Sequence, residues 1–431
     1  MGLILFFLIF GITFALGYPI AFGMIMGGFA YFVTSGMDLG IFLDIMAIEL
    51  RAQDVLLAVP MFIFAANIMN DTEITDRLFG FLKQLLGGMR GGLAYANIGA
   101  SIIFAGMSGS EIADVSGLGT IEIKAMMDDG YDGPFSCAVT CASATIAPLI
   151  PPSIPMVIYA MLTGTSLGYL FIAGVMPGLL LGLLEAGMVF YLSKKRNYPV
   201  GKRYPLKILA KSFLRSLPAL FAPVILLAGI YGGIFTPTES AAVLVAYSIL
   251  VSIFIYRTLG LKKLRKIMLR TVYNIGAISF MIAGAFVVKY VLAREEIPSL
   301  LTNVFVNMGF LSSAWVLLLS VNVLFFILGM FFDVSVIQLV VIPIVFPLVK
   351  AVGIDPIHFG IVTTFNLMLA LDTPPYGQTG FITSAISKTP VGKVFKEMLK
   401  YWIPIEVMGL VIITYWSDFV LWLPRLLGYA H

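Results

Sequence analysis

Apolar stretches long enough to be helices follow one another from Gly2 to Ala430, with only short polar breaks between them. That succession constrains the fold more than any other feature. Crossing a ~30 Å hydrocarbon core takes about 20 residues of helix. Spans are expected near 3–17, 18–35, 53–70, 134–163, 167–193, 216–233, 238–256, 272–293, 356–387 and 401–423. Soluble domains carry roughly 25% charged residues, whereas this chain carries 12%, with 60% apolar. So few charges could not cover the surface of a soluble protein of this length. The expectation is an all-α polytopic membrane protein of about ten transmembrane helices, with the lipid bilayer as its solvent.

The opening segment lacks a basic leader and runs straight into a second apolar run at Gly17-Tyr18-Pro19, so it is read as mature sequence rather than a signal peptide. Segments 37–52 and 71–92 carry charges at helical spacing and read as interfacial. Cys137 and Cys141, four apart in an apolar stretch, suit packing on one helix face. Together with His358 and His431, the only histidines, they do not make a zinc ligand set.

Basic residues set the orientation. The loop 194–215 holds Lys194, Lys195, Arg196, Lys202, Arg203, Lys207, Lys211 and Arg215, and the loop 257–270 holds six more. Both are expected in the cytoplasm, as is 388–400 with four lysines. Arg294-Glu295-Glu296 then falls outside. The net charge of +4 sits in these short loops, so it reports topology and not a nucleic-acid surface.

The chain also repeats itself. At an offset of 223 residues Gly106-Met107 falls on Gly329-Met330, Gly130 on Gly353, Asp132 on Asp355 and Pro151-Pro152 on Pro374-Pro375, without a gap. Most of these are residues that dictate backbone shape. Five expected spans separate the copies, and an odd number inverts one against the other, as in many secondary transporters.

Each copy contains two places where helix cannot continue. The apolar stretches 93–127 and 312–349 are broken at Gly106-Met107-Ser108-Gly109-Ser110 and at Gly329-Met330-Phe331-Phe332-Asp333. Both are expected to be re-entrant hairpins with those residues at the tip. The second breaks are Pro148-Leu149-Ile150-Pro151-Pro152-Ser153-Ile154-Pro155 and Asp372-Thr373-Pro374-Pro375-Tyr376-Gly377-Gln378-Thr379. Irregular backbone at membrane depth is tolerated where it lines a cavity or packs in protein. Its carbonyls, with hydroxyl and carboxylate oxygens, suit Na⁺, and helix N-termini suit anionic groups.

Ser110 and Asp114 are four apart and share a helix face, with Ser108 at the tip itself. Ser143 and Thr145 precede the first proline cluster, and Asp333, Asn366, Asp372 and Thr373 hold comparable places in the second copy. A lone membrane Ser or Thr more often bonds its own helix, and a lone Pro is often only a kink. An intramembrane Asp is costly enough that function is its default reading. Glu111 is open to an interfacial reading and Lys289 to snorkelling.

Gly106-Met-Ser-Gly-Ser-Glu-Ile-Ala-Asp114, Pro148-Leu-Ile-Pro-Pro-Ser153, Gly233-Ile-Phe-Thr-Pro-Thr-Glu239 and Thr373-Pro-Pro-Tyr-Gly377 together resemble the large membrane subunit of tripartite ATP-independent periplasmic (TRAP) transporters, over essentially the whole chain. The resemblance implies an elevator-type, Na⁺-coupled importer of organic acids in the bacterial inner membrane. Its partners would be a small, Q-type membrane subunit and a periplasmic substrate-binding protein. By position, Ser108, Ser110 and Asp114 would join the first loop, from Pro148, at one Na⁺ site. Gly329, Asp333, Thr373 and Gly377 would serve a second. Substrate would lie between the hairpins near Ser108, Ser143, Thr145, Ser153, Asp333, Asn366, Gln378 and Thr379, through hydroxyl and amide donors to its carboxylate. The second tip has Phe331-Phe332 where the first has Ser108-Gly109, so the two sites are not equivalent. The sialic-acid branch is the leading substrate reading, with C4-dicarboxylate and keto-acid members sharing the motifs.

Other classes fit less well. Gly106-Met-Ser108-Gly109 matches a Gly-x-Ser-Gly serine-protease pattern with His358 as a base, but such an enzyme leaves the repeat unexplained. No filter-like ring motif supports a channel, while a stand-alone dicarboxylate carrier would share the hairpins and the inverted repeat. No Gly-x-x-x-x-Gly-Lys-Ser/Thr phosphate loop supports ATP-driven import. No organic cofactor or enzymatic activity is expected. The expected division is scaffold and interfacial helices over 1–92, a transport unit over 93–166, scaffold over 167–311, transport unit again over 312–390, and a C-terminal scaffold helix over 391–431.

Overall fold

The computed structural model describes residues 2–52, 57–297, 299–300 and 314–429. Residues 53–56 of the third expected span, the boundary at 311/312 and His431 lie outside them. The described residues fold as helices: α1 (Gly2–Ala15), α2 (Ile20–Thr34), α3 (Leu39–Ala52), α4 (Ala58–Asp71), α5 (Ile74–Leu86), α6 (Gly92–Ser108), α7 (Glu111–Asp128), α8 (Gly133–Ala144), α9 (Ile154–Thr163) and α10 (Leu167–Lys195). Then come α11 (Leu206–Tyr231), α12 (Pro237–Leu250), α13 (Leu261–Arg294), α14 (Ala314–Gly329), α15 (Val334–Ala351), α16 (Pro356–Leu371), α17 (Gln378–Ser387), α18 (Val391–Glu397), α19 (Ile403–Tyr415) and α20 (Ser417–Leu426).

Six helical stretches among the described residues are long and apolar enough to cross a membrane: Leu167–Lys195, Leu206–Tyr231, Pro237–Ile255, Leu261–Arg294, Val334–Ala351 and Val391–Tyr415. Five coincide with expected spans, and the sixth is the second arm of a hairpin. The last expected span starts ten residues earlier than its apolar core, because residues from Val391 on, within the segment 388–400 expected in the cytoplasm, continue the helix through a π turn at Met398–Trp402. At about 1.5 Å per residue, the 14 residues of α1 and of α4 and the 15 of α2 fall short of a full crossing. The expected spans 134–163 and 356–387 are each two half-helices, α8 with α9 and α16 with α17. Proline causes the break in both, since it removes a backbone donor and collides with the preceding turn. The Pro151–Pro152 and Pro374–Pro375 bonds are both cis.

The helix starts are written locally in matching places. Ser110 caps α7 by accepting from Ala113 N, and Asp333 caps α15 by accepting from Ser335 N. Asp132 and Asp355 cap α8 and α16 in the same way, each before a Pro or Gly-Pro first turn.

The two copies interlock. The half-helix α9 of the first packs on the hairpin arm α15 of the second, and α17 of the second packs on α7 of the first. Such reciprocity is what a two-fold relation between the copies produces. α10 lies directly over the first proline loop, so closely that a Cβ on Gly174 would come within 2.0 Å of the Leu149 carbonyl oxygen.

Candidate substrate and ion site

Both hairpin tips and both helix breaks meet in one region. At the first tip, Gly109 has φ +60, and a Cβ there would stand 2.2 Å from the Pro152 carbonyl oxygen. The tip is tied to the loop by Ile154 N donating to the Gly109 carbonyl at 3.3 Å. At the second tip, Gly329 lies against Ala370 of α16. Phe332 packs against Phe14 of α1 with ring centroids 4.9 Å apart and the rings tilted by 33°.

Between the tips lies a cavity of about 220 Å³. Ser110 and Glu111 line it from the first tip, and Asp333 and Ser335 from the second. Pro148, Ile154 and Pro155 come from the first loop, Met368 and Leu371 from α16, and Ile278 and Met281 from α13. The N-termini of α7, α9 and α15 therefore converge on it, each with the partial positive charge of unpaired amides. Two carboxyl groups share the lining, and among the described residues it includes no Lys, Arg or His.

Beside the cavity, Ser108, Glu111 and Asp114 are at most 2% exposed, and the Ser108 Oγ and both carboxylates have no hydrogen-bond partner. Buried polar atoms are rarely left unpaired, so such orphans call for a ligand. Hydroxyl and carboxylate oxygens are hard donors of the kind Na⁺ takes.

The remaining sequence-derived residues separate by surroundings. Ser110, Pro148 and Asp333 line the cavity, while Ser153 caps α9 just behind it, accepting from Met156 N at 3.3 Å. Thr145 and Thr373 bond carbonyls of their own helices, Ala142 at 2.7 Å and Leu369 at 2.8 Å. Ser143 donates to Asn97 Oδ1 at 2.7 Å, and Asn97 in turn donates to Thr140 at 2.7 Å. Asn366, at the matching place in the second copy, donates to both the carbonyl and the side chain of Asn322 at 2.9 Å. The two polar pairs stitch the first hairpin arm to the broken helix within each copy. Gly377, at φ +41, opens α17, where Thr379 donates to the Asp372 carboxylate. Gln378 is the first residue of that helix.

The interfacial reading of Glu111 is corrected: its side chain is buried at the tip and lines the cavity. Glu122, Glu185 and Glu406 went unnoticed in the sequence, although all three are at most 1% exposed. A single acid inside an apolar run, as at Leu184-Glu185-Ala186, is the signal that would have found them. His358 lines a different cavity with Asp355 and Arg425, bonded to the Ile413 carbonyl at 2.8 Å, away from the Ser108 tip.

The family model "Tripartite ATP-independent periplasmic transporter, DctM component" matches residues 6–419. The chain is 37% identical to the sialic acid TRAP transporter large permease protein SiaM of Vibrio cholerae, covering 98% of both chains. It is 40% identical to the C4-dicarboxylate TRAP transporter large permease protein DctM of Pseudomonas aeruginosa, covering 86% of this chain and 87% of that one. In fold it resembles the Alcanivorax borkumensis YdaH transporter, with a TM-score of 0.59 at 15% identity over 88% of this chain and 89% of that one. With these matches over an all-helical, multi-pass architecture, the chain belongs to the DctM family of TRAP transporter large permease proteins.

Proposed function

We propose that this chain is the membrane permease of a Na⁺-coupled importer of an organic acid in the bacterial inner membrane. The observation that carries this reading is the electrostatics of the cavity between the tips. Three helix N-termini favour an anionic group there, yet Glu111 and Asp333 share the lining and, among the described residues, no basic side chain does. An acid substrate entering between two carboxylates needs a cation with it. The orphaned Ser108 and Asp114 oxygens beside Ser110 and Pro148 are suited to one Na⁺. Asp333, with the Gly329, Thr373 and Gly377 backbone and hydroxyl oxygens, is the candidate cradle for a second.

The reading extends to an elevator-type movement, supported by the reciprocal packing of α9 on α15 and α17 on α7, which ties both tips into one unit. A small Q-type membrane subunit would complete the scaffold, and a periplasmic binding protein would deliver substrate to the outer face, near Glu295 and the Gly353–Pro356 turn. Sialic acid is the leading substrate, because the similarity to SiaM covers nearly the whole chain. The similarity to DctM keeps a C4-dicarboxylate as the alternative.

The test is uptake into proteoliposomes holding this chain, its small subunit and its binding protein, with radiolabelled N-acetylneuraminate or succinate. An inward Na⁺ gradient should drive uptake of one of the two, choline should not, and Ser110→Ala or Asp333→Asn should raise the Na⁺ concentration needed. Uptake that ignores Na⁺ would overturn the coupling.

A further inference from the structure

Away from the cavity, α10, α16 and α19 meet at a junction that the transport reading does not use. Its packing centre is Gly409 of α19, whose absent Cβ would touch Leu184 of α10 at 3.4 Å and Phe365 of α16 at 3.5 Å. Glu185 stands next to Leu184, and Glu406 one turn before Gly409. Both carboxyls are fully buried, and all four of their oxygens lack a hydrogen-bond donor. They lie within electrostatic reach of each other. From the elements packed around them, Asp372 at the end of α16 faces both, and Glu111 of α7 faces Glu406. Among the described residues, the charged groups that act on these two carboxyls are thus acidic.

Several ionised carboxylates cannot share a dry, cation-free junction, because each loses its hydration and repels the others. Something positive must be bound. A metal ion needs several oxygens converging on it, whereas a proton needs only one. It attaches to one oxygen and turns an orphan acceptor into a neutral carboxyl.

We propose that Glu185 and Glu406 form a proton-binding site inside the membrane, filled by protons taken from water. It goes beyond the transport reading: Glu185 and Glu406 stand on α10 and α19, in segments expected as scaffold, and their neutral carboxyls would present no charge to Asp372 at the end of α16.

The test does not depend on transport. The purified chain in detergent, in choline buffer at pH 7 without Na⁺, is compared by infrared difference spectroscopy with the double variant E185Q/E406Q. The expected result is loss of protonated-carboxyl C=O absorption in the variant, at a frequency that shifts in D₂O. Equal absorption in the two proteins would overturn the proposal. Glutamine has the shape of a neutral carboxyl, so E185Q and E406Q should each fold with an unchanged melting temperature. Collapse of both variants would show that the charge itself is required and would equally overturn it. Absence of Na⁺ coupling in the uptake assay would leave this result untouched, so the two failures are distinguishable.

Discussion

Gly109→Ala tests whether the first hairpin tip is seated on the proline loop. Gly109 sits at φ +60, where a side chain costs roughly 1–2 kcal/mol. The new methyl would also stand 2.2 Å from the Pro152 carbonyl oxygen and 3.1 Å from Ser153 Cα. Both are backbone atoms, so no side chain can swing aside, and such overpacking costs about 1–3 kcal/mol. Separation would also break the bond from Ile154 N to the Gly109 carbonyl, a loss of about 1 kcal/mol. The total is roughly 3–6 kcal/mol. Gly233→Ala is the matched control: its φ is +64, but nothing lies within 4 Å of the new Cβ, so only the backbone cost of about 1–2 kcal/mol applies. The assay is reversible unfolding of the purified protein in mixed detergent micelles. Equal destabilisation by the two substitutions would refute the seating of tip on loop. A larger loss from Gly109→Ala, together with loss of any Na⁺-specific stabilisation, would uphold it.

Two further outcomes follow from polar contacts. Asn97→Ala leaves Thr140 and Ser143 short of a buried partner, and Asn366→Ala does the same to Asn322; each should cost about 1–3 kcal/mol in the same unfolding assay, and a neutral result in both would mean that water or an ion replaces the amides. Tyr198, in the basic loop 194–215, donates to Asp132, and burial first, then that carboxylate, hold its hydroxyl well above the ordinary tyrosine range. A raised folded value gives stability that is fully present below the unfolded value, about 10, and is lost only as pH rises beyond it. Tyr198→Phe should therefore lower the melting temperature by the same amount at pH 6 and pH 9, and a penalty that shrinks between them would contradict this.

What sequence determined by itself is whatever depends on neighbours along the chain. Proline and glycine act on their own backbone, so the breaks at Gly106–Ser110, Pro148–Pro155 and Asp372–Thr379 could be read directly, as could the offset of 223 residues that pairs them. Ser110, Asp132, Asp333 and Asp355 cap helices within three residues of themselves, which is again a local matter. Long apolar runs such as 167–195 needed only hydrocarbon thickness to be recognised. Tertiary structure decided the rest. Whether a buried hydroxyl faces a ligand or a neighbour depends on residues far away in the chain, so Ser143 and Asn366 found Asn97 and Asn322 instead of the cavity. Glu111 became a wall of that cavity only because the second tip closes over it. The junction of Glu185 with Glu406 joins residues more than two hundred positions apart. An acid in an apolar run announces its cost wherever it stands, but which other acid shares that cost is set by which helices pack together.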